Sequence, residues 1–206
     1  MNIDEPKTED HHSDPEEITA DKLNTKNLLG MSLLSLGFYS TVALVIIYFF
    51  HEGSFSDLFS HGFGFTTQLV VGIAAGLGSA TVVLFLSTRP PIKEVLNDFA
   101  IFKVISKANF SNFDKVQVSL FAGIGEEILF RGALQPVVGI WITSAFFIAI
   151  HGYFKFKSKG HLLFGFMMFG LSMMLGFLYE TSGLISAMAA HAVYDMVMLK
   201  KVDLLK

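Results

Sequence analysis

The chain has no cysteine in 206 residues, so disulfides and thiolate chemistry are excluded. Charge is nearly missing from its long apolar runs: of 15 basic residues, only Arg131 falls inside one. A secretory signal peptide is not evident, because the start is not basic and the first apolar run comes late and is long. The soluble metalloprotease signature H-E-x-x-H does not occur. No Ser-His-Asp arrangement suggests itself either, since Ser119 and Ser144 have no evident base nearby in sequence. No internal repeat is evident.

What the chain has in abundance is apolar surface. It is 52% hydrophobic with 22 Phe and a mean hydropathy of +0.54. A soluble domain of this size has no use for so much, so the expected class is an all-α polytopic membrane helical bundle. A spanning helix needs roughly 20 mostly apolar residues. Six stretches qualify: Leu28 to Phe50, Thr67 to Thr88, Val116 to about Pro136, Val137 to Phe154, Leu162 to Tyr179 and Gly183 to Leu199. Residues 1–27 are polar, hold eight of the 18 acidic residues, and read as a disordered acidic tail. In that tail His11 and His12 read as a solvated pair. Residues 28–115 comprise two spans and a loop, and 116–206 the remaining four. Gly72 and Gly76 have the small-xxx-small spacing of close helix packing, expected here within one chain.

Lysine and arginine alternate between the connections. The loop 51–66 has neither, whereas Arg89, Lys93, Lys103, Lys107 and Lys115 fill the next. The turn near Pro136 has none, the turn 155–161 has Lys155, Lys157 and Lys159, and the C-terminus has Lys200, Lys201 and Lys206. Cytoplasmic loops are enriched in these residues, so both termini are expected in the cytoplasm. The segment 91–113 reads equally as an amphipathic helix on that surface or as a solvated loop.

Against this apolar background stand Glu126, Glu127, Arg131, His151, His191 and Asp195. An ion at the bilayer centre costs about 2.5–3.5 kcal/mol on insertion scales, so such residues face an interior or a wet cavity. A single histidine there would read as a satisfied polar contact between helices. Three acids, an arginine and two histidines on three of the last four spans read as a functional site. Glu127 and Arg131 are i, i+4 neighbours in the favourable order and are expected to pair. Glu126 points about 100° away and is left for general-base chemistry. His191 and Asp195 share a face of the last span. Glu126, His151 and His191 offer the donor types of a catalytic zinc site, and they could equally hold a water by hydrogen bonds.

These residues stand in three motifs. "EEILFR", from Glu126 to Arg131, resembles the E-E-x-x-x-R motif of the CAAX protease and bacteriocin-processing family, also called Abi. "FFIAIH" contains that family's F-x-x-x-H as Phe147 and His151, and "HAVYD" its H-x-x-x-N/D as His191 and Asp195. Their order and their placement in apolar helices agree, and the resemblance covers about Val116 to Leu199. It implies an intramembrane endopeptidase with about six transmembrane helices and a four-helix catalytic core. By this resemblance Glu126 and His151 activate water, Glu127 and Arg131 organise the site, and His191 and Asp195 face the oxyanion. The chain departs from the eukaryotic prenyl-protein proteases at Asp195, where they have Asn. Ionised Asp cannot donate a hydrogen bond, so Asp195 must be protonated, orient His191 or hold a metal. The implied partners are the lipid bilayer and a peptide or protein substrate, with no nucleic acid, in a bacterial cytoplasmic membrane. Other readings are a non-proteolytic scaffold or bacteriocin-immunity protein of the same family, or a proton or ion carrier.

Overall fold

The structure is a computed structural model, and it describes residues 25–99 and 110–201. The expected acidic tail lies almost wholly outside these residues, as does much of the segment 91–113. Among the described residues there are six α-helices: α1 (Thr25–Phe50), α2 (Phe65–Ser87), α3 (Asn112–Glu127), α4 (Gln135–Ile150), α5 (Lys159–Ser182) and α6 (Leu184–Lys201). A π-helical segment, Ile128–Leu134, joins α3 to α4. No strand occurs among the described residues. In hydrocarbon every backbone polar group must find its partner within the chain, and helices do this locally.

Among the described residues four stretches are long and apolar enough to cross a membrane: Asn27–Phe50, Phe65–Ser87, Asn112–Ile150 and Lys159–Ser182. The protein is an integral membrane protein. Its polarity is arranged accordingly, with Leu34, Phe38, Tyr48 and Phe49 exposed while Gln68, Glu127, Arg131, Gln135 and Ser144 are buried.

The third stretch is not one straight rod. In a straight helix Phe130 and Phe147 would lie about 25 Å apart, yet their rings touch at 4.9 Å between centroids. The chain reverses at Gly139, whose φ of 81° and ψ of 162° suit glycine alone. The reversal was expected at Pro136, but the backbone stays helical from the π segment through Leu134 and Gln135 into α4, and the break comes three residues later. The expected span from Val137 to Phe154 is corrected as well. Beyond Gly139 the helix ends at Ile150, a run of about 17 Å, short of the ~30 Å hydrocarbon core. His151 is thus carried only part of the way back, and 151–158 completes the return without a helix.

Helix α6 is the hub. It packs on α2, α3 and α5, while α1 packs on α3 and the π segment. Gly72 and Gly76 allow the α2 contact: a Cβ at Gly76 would stand 2.6 Å from the carbonyl oxygen of Ala190. The expected small-residue packing is therefore internal to the chain. The two ends of the bundle differ in charge. At one end His61 Nε2–H donates to Glu180 O at 2.8 Å and Phe63 N–H to Ser182 O at 3.0 Å. The opposite end gathers Arg89, Lys93, Lys115, Lys155, Lys157, Lys159, Lys200 and Lys201. There Lys155 Nζ donates to Asp98 O, and His161 Nε2 meets Asp98 Oδ2 at 3.0 Å.

Candidate active site

Arg131 is fully buried in the π segment, and every nitrogen of its guanidinium has a partner. Nε donates to Glu127 Oε2 at 3.1 Å, and Nη2 to Ser172 Oγ at 2.8 Å. Nη1 reaches Gln135 Oε1 and Ser144 Oγ, both at 3.4 Å. The Phe147 ring covers the group, with its centroid 5.7 Å from Cζ. A π turn inserts one extra residue into the helical ladder and often marks a functional site. Here it carries Arg131 within reach of both α4 and α5.

Glu127 has two partners, one for each oxygen. Oε2 takes Arg131, and Oε1 lies 2.7 Å from Nδ1 of His191 on α6. A carboxylate paired with arginine can only accept, so His191 presents Nδ1–H to it. The other nitrogen, Nε2, faces Glu126 Oε2 at 3.9 Å and Asp195 Oδ2 at 3.6 Å.

Glu126 turns away from this pair. Its Oε2 lies 3.6 Å from Nε2 of His151. His151 Nδ1 is 2.7 Å from Phe147 O. A carbonyl oxygen only accepts, so Nδ1 carries a proton, and Nε2 is the nitrogen left to face Glu126. A water about 2.8 Å from each atom closes a triangle over the 3.6 Å base, so one molecule can touch both. The Phe147 ring stacks on the His151 ring at 4.3 Å and 29°, which gives the spacing F-x-x-x-H a physical reason. From α1, the hydroxyl of Tyr39 faces the Glu126 carboxylate.

The site thus gathers all seven singled-out residues, Glu126, Glu127, Arg131, Phe147, His151, His191 and Asp195. Gln135, Ser144 and Ser172 were not foreseen as partners of Arg131. Gln135 stood four residues beyond it, a usable spacing. Ser172, on another helix, had no such signal.

In donor chemistry Glu126, His151 and His191 suit zinc. Each imidazole has its Nδ1 tied to an oxygen acceptor, as second-shell partners commonly fix zinc-bound histidines. Among the described residues, however, no three His, Cys, Asp or Glu side chains are gathered as a metal ion requires.

Residues 113–197 match the family described as type II CAAX prenyl endopeptidase Rce1-like, and all three motifs fall inside the match. The chain is also similar to the uncharacterized protein YpbD of Bacillus subtilis (strain 168), at 38% identity over 96 residues. That similarity covers 46% of this chain and 48% of the relative, about half the length of each. No solved structure matches.

Proposed function

We propose that the protein is an intramembrane endopeptidase whose attacking water is activated by Glu126 and His151. The observation that carries this reading is the 3.6 Å approach of Glu126 Oε2 to His151 Nε2, with Nδ1 already committed to Phe147. The match of 113–197 to a family of prenyl endopeptidases supports the reaction class. The substrate class is a peptide or protein at the membrane, cut near its cytoplasmic side.

Glu126 takes one proton from the water as its oxygen adds to the peptide carbonyl. The carbonyl π electrons move to oxygen, and a tetrahedral oxyanion forms. His191 stands beside it, fixed by Glu127. A proton on its Nε2, flanked by the carboxylates of Asp195 and Glu126, makes it the hydrogen-bond donor that the oxyanion needs. The oxyanion then collapses, the C–N bond breaks, and Glu126 passes its proton to the leaving amine. Were zinc bound, Glu126, His151 and His191 would hold it, and it would lower the pKa of the attacking water.

The test compares the N-termini of membrane proteins from cells carrying the wild-type chain and Glu126→Gln. New N-termini that depend on Glu126 are expected. Identical sets, with both proteins present at equal levels, would overturn the protease reading and leave the scaffold or immunity role.

A further inference from the structure

His151 is lightly held. It follows the last residue of α4, and about a quarter of its side chain is exposed (27%). Its one hydrogen bond runs to a carbonyl one turn back, and the ring can swing about that bond. Flat contacts have to hold its plane, and Phe147 supplies one of them. The other comes from Tyr153, whose ring lies 5.7 Å away and only 22° from parallel.

Tyr153 is itself held firmly. Its ring meets Phe164 of α5 edge-on at 5.5 Å and Phe99 at 6.0 Å. Phe99 is almost fully buried, lies 4.3 Å from Phe164, and carries Lys155 Nζ 4.7 Å over its ring. Phe99 directly follows the short 3₁₀ turn Lys93–Asp98, outside the stretch that matches the family. An anchored chain of rings therefore runs from the Lys-rich end of the bundle to His151.

We propose that Tyr153 is a positioning residue that fixes the plane of the His151 imidazole, so that Nε2 faces Glu126. It acts through its ring rather than its hydroxyl. The inference rests on the water-activating role of His151 only for its effect on rate. The placement of the ring can be tested without a substrate.

The experiment labels histidine with ¹³C and ¹⁵N in the full chain in detergent and assigns His151 by the signal lost in His151→Gln. Tyr153→Phe is expected to keep the His151 ring signals and the Glu126-dependent cleavage. Tyr153→Leu, which keeps apolar bulk and hence the fold, is expected to move the His151 ring ¹⁵N signals by more than the lost ring current alone can, as Nε2 turns from Glu126. It should also slow cleavage on the order of 10²-fold, the scale of a misplaced catalytic group. His151 ¹⁵N signals that change in Tyr153→Leu by no more than the lost ring current would overturn the proposal. So would a Tyr153→Phe variant as impaired as Tyr153→Leu. If no cleavage depends on Glu126, the protease reading fails while the signals still decide the placement.

Discussion

Glu127 Oε1 and His191 Nδ1 stand 2.7 Å apart, and this contact ties the first motif to the third. The same carboxylate holds Arg131 through Oε2. One buried glutamate therefore neutralises the guanidinium and sets which nitrogen of His191 faces Glu126 and Asp195. Glu126, one residue earlier, makes neither contact and faces His151. The division of labour between adjacent glutamates follows from their different faces on α3.

The two glutamates should separate by stability. Glu127→Gln and Arg131→Ala each leave a buried group without its partner, at about 3–5 kcal/mol. Glu126→Gln removes no such pair and should leave the protein folded, as should His151→Ala. Both of these are expected to abolish cleavage. Thermal unfolding in detergent sorts the groups. A Glu126→Gln protein as unstable as Arg131→Ala would show that Glu126 is structural.

At Asp195, the side chain sits 3.6 Å from His191 Nε2. Asp195→Asn keeps the size and provides a donor of its own. It is expected to retain appreciable cleavage in a folded protein. Complete loss would show that the negative charge beside His191 is itself required.

Orientation can be read with single cysteines, because the chain has none of its own. Ser56 is exposed at the end of the bundle poor in lysine, and Ser158 at the Lys-rich end. With the Lys-rich end in the cytoplasm, Ser56→Cys should react with an impermeant thiol reagent added to intact cells, and Ser158→Cys should not. The opposite pattern would invert the topology.

Metal dependence turns on one nitrogen. As a zinc ligand His191 needs a lone pair on Nε2, whereas as oxyanion donor it needs a proton there. The site holds the carboxyl groups of Glu126, Glu127 and Asp195 against the single guanidinium of Arg131, and a dication would offset the excess. With His191 as the donor, a chelator is expected to leave Glu126-dependent cleavage intact, whereas loss on chelation and recovery with zinc would make its Nε2 a ligand instead. Full activity in purified protein with substoichiometric metal by elemental analysis would remove zinc and leave His191 as donor.

The sequence by itself determined the membrane class, the helices within a few residues, and the residues that meet at the site. Those are consequences of length, hydropathy and the energy of burying charge, all local properties of the chain. It also showed that Glu127 and Arg131 could pair, because i, i+4 contacts are fixed by the helix itself. Only the tertiary structure decided where the third apolar stretch reverses. Glycine at 139 and proline at 136 both punctuate a sequence, and the packing of Phe130 on Phe147 selects between them. Only the tertiary structure gave Ser172 to Arg131, Glu127 to His191 and the Phe99–Tyr153 buttress to His151. These contacts join residues tens of positions apart, and no periodicity along one helix encodes which face of another helix it will meet.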